Sequence, residues 1–101
     1  MTSKPVVLIN LLKVRPGQQQ ALIALLQRNI ETVVSTLGGW RASRLIAGGD
    51  GASVVIHSEW DTPEAVAAMR NDPRMKAYFP KILEMASFES VMGEAVFGDS
   101  K

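Results

Sequence analysis

The sequence contains no cysteine and a single histidine, His57. The first absence removes disulfides, thiolate nucleophiles, zinc ribbons and iron-sulfur clusters together. One imidazole is too few for a metal centre built by the protein alone. An excess of one charge is also missing, with 11 Lys and Arg against 10 Asp and Glu for a formal net charge of +1. Because the basic residues are scattered, there is no electrostatic footprint for nucleic acid or for an anionic membrane. No apolar run approaches the roughly 18 residues needed to cross a bilayer. Met1–Lys4 leads straight into a strand-like segment, without the stretches of a secretory leader, and the expectation is a cytoplasmic protein. A chain of 101 residues supplies one core and one pocket, read as a single domain over residues 1–101, since a domain of this size buries roughly 60 to 70% of its unfolded surface.

Pro5–Val14 is rich in β-branched and large apolar residues and stops at the turn signal Arg15-Pro16-Gly17, which reads as a first strand. Val7, Ile9 and Leu11 fall on one face and Val6, Leu8, Asn10 and Leu12 on the other, so both faces need cover. From Gln18 to Leu37, apolar residues recur at spacings of three and four, predicting one amphipathic helix ended by Gly38-Gly39. Trp40–Ala47 and Ser53–Trp60 read as strands joined by the hairpin loop Gly48–Gly51. Thr62 caps a helix with Pro63 at its first position, and that helix breaks at Asn71-Asp72-Pro73. It restarts through Met75, Tyr78, Phe79 and Ile82, with Pro80 expected to end or kink its first turn. Ser87–Phe97 is the predicted fourth strand. Right-handed crossovers then give a ferredoxin-like α+β fold, βαββαβ, with a four-stranded antiparallel sheet and the helices on one face. The first strand is apolar on its bare side too, so a homodimer with sheet facing sheet is expected.

Polar residues in apolar settings carry what functional signal there is. The loop Gly48–Gly51 joins two strands and leads into no helix, so it fails the context of a phosphate cradle. His57 shares a face with Val55 and Glu59, toward the expected partner. Asn10 interrupts a wholly apolar strand face, which costs roughly 1 to 3 kcal/mol unless its amide is hydrogen-bonded. A polar point in an apolar cavity is the composition of a small-ligand pocket. Trp60 is expected on the same side, as a core indole or as an aromatic wall for a substrate. Arg44, taken to share a face with Trp40 and Ala42, is read either as one arm of a surface salt bridge or as the holder of an anionic or phenolic oxygen.

The segments Val6–Gly17 (VVLINLLKVRPG), Gly38–Leu45 (GGWRASRL), Val54–Ala65 (VVIHSEWDTPEA) and Asn71–Arg74 (NDPR), in this order of elements, resemble the antibiotic biosynthesis monooxygenase superfamily over nearly the whole chain. The resemblance implies a dimeric α/β barrel with a pocket between sheet and helices in each subunit. It also implies activities ranging from cofactor-independent oxygenation of polyketide anthrones to haem degradation and small aldehyde or quinone conversion. Anthrone oxygenases commonly carry an asparagine four residues before the tryptophan matched by Trp60 and a tyrosine six after it. Those places hold Ile56 and Val66, and the family's helix arginine falls near Phe79. The haem-degrading branch places an asparagine seven residues before the turn glycine, as Asn10 stands to Gly17. Its helix tryptophan and haem-ligating histidine, however, fall at Met69 and Phe79, which have neither an indole ring nor a ring nitrogen.

The resemblance therefore points to oxidation of a phenolic aromatic by O2 to a quinone. Catalytic roles are expected for Asn10, Trp60 and Arg44. Trp40, Ile56, Ser58, Val66, Met69, Tyr78 and Phe79 are expected to line the pocket, with the five methionines letting it adapt in shape. No metal or cofactor is expected, neither flavin nor haem, and no nucleic-acid or membrane partner. The alternative is a protein of the same fold that binds a small aromatic without turning it over.

Overall fold

The computed structural model describes residues 5–101; Met1–Lys4, on which the reading of the N-terminus rests, lie outside the described residues. The elements run β1 (Val6–Val14), α1 (Gln19–Thr32), β2 (Trp40–Ala47), β3 (Ser53–Trp60), α2 (Pro63–Asn71), α3 (Pro73–Met85) and β4 (Ala86–Gly93). The four strands form one antiparallel sheet in the order β2-β3-β1-β4, the expected ferredoxin-like arrangement. Val6, Leu8, Leu12 and Val14 of β1 are buried under the helices, while Ile9 and Leu11 stay exposed on the other face. The doubly apolar strand thus has one covered side and one open side.

Several boundaries differ from the pattern. The first helix ends at Thr32 and continues as a single 3-10 turn, Val34–Thr36, so the apolar spacing through Leu37 spans two kinds of helix. Pro80 ends nothing, because α3 runs on through it to Met85; proline removes one helical N–H, and packing of Met75 and Ile82 into the core holds the remaining turns. Strand β4 stops at Gly93, and Glu94–Lys101 form no strand. At the start of β2 the register slips between Trp40 and Ala42. This bulge, with Arg41 as the extra residue, reverses the side-chain alternation for the rest of the strand.

Local chemistry pins these pieces. The Thr62 hydroxyl accepts the Ala65 N–H at 3.1 Å and the Asp72 carboxylate accepts the Arg74 N–H at 2.8 Å, capping α2 and α3. The Gln19 amide donates to the carbonyls of Gly48 and Ser53 at 3.0 and 2.9 Å, tying α1 to the β2–β3 hairpin. The bulge is held by Arg41, whose Nε–H donates to Asp61 Oδ1 at 2.6 Å. Gly39 beside it has φ of 83°, and a Cβ there would stand 2.5 Å from the Ala65 Cβ. Only glycine lets the 3-10 turn enter β2 under the first turn of α2.

The interior is two clusters rather than one. Val6, Leu8, Val33, Val34, Trp60, Val66, Met69 and Met75 form the first, and Leu12, Val14, Leu22, Leu26, Val54, Ile82 and Ala86 the second. β1, β3 and α3 each contribute to both, Val6 and Leu8 against Leu12 and Val14, Trp60 against Val54, and Met75 against Ile82.

Candidate functional site

In β1 the residue between Leu8 of the first cluster and Leu12 of the second is Asn10; in α1 the one between Leu26 and Val33 is Asn29. Each amide lies between residues of the two apolar clusters, against both of which Tyr78 and Phe79 pack. Between the clusters lies a cavity of about 550 Å³, within the size range of small-molecule sites. Its floor is the sheet, where Ser90, Asn10 and Ile56 sit side by side on β4, β1 and β3. Leu8 and Leu12 flank that row. The opposite wall comes from the helices, with Asn29 from α1, Met69 from α2, and Met75, Phe79 and Ile82 from α3. Arg70, Leu83, Phe88 and Ser90, all exposed, mark the mouth between the helices and β4.

The polar groups inside are few and oriented. The Ser90 hydroxyl donates to Asn10 Oδ1, which fixes the half-buried amide and leaves its NH2 as a donor over the floor. Asn29 is 4% exposed, and its Nδ2 donates to the Met75 sulfur at 3.3 Å. Arg70 is the sole lining residue that carries a charge, and no salt bridge joins it to another described residue. No lining residue is a carboxylate, imidazole or phenol. Among the described residues, no cluster of three His, Cys, Asp or Glu side chains is placed to hold a metal ion. No described helix is long and apolar enough to cross a membrane.

The structure brings together Asn10, Ile56, Met69 and Phe79 of the residues singled out from the sequence. Others lie behind the cavity. Trp60 is 1% exposed within the first cluster, and its Nε1–H donates to Ser58 Oγ at 3.1 Å. Ser58 in turn reaches the Leu8 carbonyl at 3.4 Å. Val66 is buried beside Trp60. Tyr78 packs against both clusters with the Lys81 ammonium 5.6 Å from its ring centre. Trp40 pairs across the sheet with Trp60 and donates its indole N–H to Ser43 Oγ at 2.9 Å. Arg44 is on the opposite face. After the Arg41 bulge it pairs with His57, so it shares a face with Ala42 but not with Trp40, and the sheet separates it from the cavity. Asn29, Arg70 and Ser90 were not singled out. Asn29 was legible in principle, since it interrupts the buried row Leu22, Leu26, Val33 at a position where an apolar residue is expected.

A family model described as antibiotic biosynthesis monooxygenase matches residues 5–81. Among solved structures, Rv0793 from Mycobacterium tuberculosis has a TM-score of 0.81 and 24% identity, covering 95% of this chain and 99% of that one. SnoaB, a cofactor-independent oxygenase from Streptomyces nogalater, has a TM-score of 0.86 and 15% identity, covering 95% and 97%. The protein SO0527 from Shewanella oneidensis has a TM-score of 0.81 and 19% identity, covering 91% of both chains. A comparison with curated proteins found no match. At these identities the structures speak to the fold, whereas the family model spans β1 through most of α3. On that match, the chain belongs to the antibiotic biosynthesis monooxygenase family.

Proposed function

We propose that the protein is a cofactor-independent monooxygenase that oxidises a phenolic aromatic, of the anthrone or hydroquinone kind, with O2 to a quinone. The observation that carries this reading is the cavity between the two clusters, apolar in its walls and crossed by the amides of Asn10 and Asn29. Family membership and the likeness to a cofactor-independent oxygenase support it. An electron-rich phenolate or carbanion gives O2 one electron directly, so the substrate is its own reductant. For an anthrone, a ring CH2 and O2 become a ring C=O and H2O. The carbon loses four electrons, O2 takes all four, and no external donor is needed.

Several lining groups have a part in that sequence. Phe79, Ile56 and the methionines hold the flat rings and exclude water from the radical pair and the hydroperoxide that follows. The Asn10 NH2, oriented by Ser90, donates to the developing oxyanion, and the Arg70 guanidinium adds positive charge at the mouth. The phenolic proton leaves through the open mouth to solvent, since no lining side chain is placed to take it. Trp60 acts from behind, through Ser58 and the backbone of Leu8, and keeps the floor rigid.

The same lack of a proton acceptor favours a second reading, a protein that binds such an aromatic without oxidising it. Oxygen uptake by purified, metal-stripped protein on a panel of hydroxyanthrones and hydroquinones separates the two. Uptake above buffer, one O2 per substrate lost, is expected for the enzyme. Saturable binding with no uptake identifies the binding protein.

A second copy of the chain is proposed to cover the open sheet face. Ile9, Leu11, Ile46 and Val91 are exposed there, on the side that no helix reaches, and the face is continuous across all four strands.

A further inference from the structure

A buried asparagine can make up to four hydrogen bonds, yet the one recorded for Asn29 is the donation to the Met75 thioether, a weak acceptor. Its Oδ1 accepts from no described residue. No sealed side-chain oxygen or nitrogen among the described residues lacks a partner, so this oxygen is not sealed, and the opening beside it is the cavity that Asn29 lines. A carbonyl held at 4% residue exposure and turned to an apolar space is an acceptor waiting for a donor. On the lining of that same space, Arg70 presents a cation without an ion-pair partner among the described residues.

We propose that Asn29 and Arg70 select the ligand, which is a hydroxylated aromatic acid. Asn29 Oδ1 accepts the hydrogen bond of a ring hydroxyl against the helix wall, and Arg70 pairs with the acid group at the mouth. Asn10 presents a donor, so an ether oxygen satisfies it as well as a hydroxyl does. Asn29 presents an acceptor, which only a hydroxyl satisfies. The assignment rests on the cavity being an aromatic-ligand site but not on turnover.

Calorimetric titration without oxygen tests it with hydroxynaphthoic acid, its methyl ether, naphthoic acid and neutral hydroxynaphthalene. The native protein is expected to bind the hydroxy acid roughly tenfold tighter than the ether, as for a buried hydrogen bond, and roughly fivefold tighter than neutral hydroxynaphthalene, as for an exposed ion pair. Asn29→Leu should erase the first preference alone and leave the thermal midpoint unchanged or higher, because its lost partner is a thioether. Arg70→Gln should erase the second alone. A native protein that binds ether and phenol equally overturns the proposal without any variant being needed. So does an Asn29→Leu protein that keeps the hydroxyl preference, or an Arg70→Gln protein that keeps the acid preference. Failure of all four probes to bind overturns both this assignment and the cavity reading. Discrimination as expected, with no oxygen uptake on hydroxyanthrones, supports the selection and removes only the oxygenase.

Discussion

Asn10 and Asn29 are the two amides that line the cavity, each set between residues of the two apolar clusters. Asn10 is half-buried and its partner Ser90 is exposed, so water can replace the amide when it is removed. Asn10→Ala is therefore expected to lower affinity for a phenolic ligand roughly tenfold, about 1.4 kcal/mol, while changing stability by less than about 1 kcal/mol. Thermal unfolding and ligand titration on the same variant check this. A stability loss large enough to account for the whole affinity loss would make Asn10 a structural residue. Asn10 was visible in the sequence because it breaks a run of large apolar residues. Asn29 is a weaker signal, because polar residues on the helix's other faces dilute one misplaced amide, although the spacing Leu22, Leu26, Val33 puts it on the apolar face.

Strand pairing and helix caps are where sequence pattern serves best, and where it fails for definite reasons. Alternation along β1 and β3 assigns every side chain to its observed face. It fails on β2 after one residue, since Trp40–Ala47 contains no glycine or proline to announce the bulge at Arg41. Arg44 changes side as a result, and a catalytic candidate moves to the outer face. Pro80 misleads in the opposite direction, since tertiary packing of α3 outweighs the single hydrogen bond it removes. The Pro73 helix start was legible from Asp72 and Pro73 together, and it carries a prediction. Asp72 accepts from the Arg74 side chain at 3.2 Å and from its N–H at 2.8 Å. Chiefly the hydrogen bond from the Arg74 side chain holds its carboxyl below the ordinary value of 3.8. A depressed native pKa contributes stability above the unfolded value and loses it as pH falls through the native one. Asp72→Ala should lower the thermal midpoint at neutral pH, and the gap from the native protein should close progressively below pH 3.8. A gap that persists unchanged in acid would show that the carboxylate charge has no part in the cap.

At the scale of the molecule, three helices on one side of a four-stranded sheet leave the other side open, and a second copy is the proposed cover. The open face sets Val91, Ile9, His57 and Arg44 in one cross-strand row and Glu89, Leu11, Val55 and Ile46 in the next. Light scattering is expected to return about twice the chain mass of 11.0 kDa. Ile9→Asp, which would strand a charge between two sheets, should return a monomer or an unfolded chain. A native protein that is monomeric at micromolar concentration contradicts the assembly. In the proposed reaction, the cavity between the two clusters uses O2 as oxidant and the bound aromatic as reductant. Turnover of a hydroxyanthrone under isotopically labelled dioxygen, in metal-stripped protein, tests it most directly. One labelled oxygen atom is expected in the new quinone carbonyl and the other in water. Label absent from that carbonyl, or turnover that disappears when metals and flavins are removed, would contradict it.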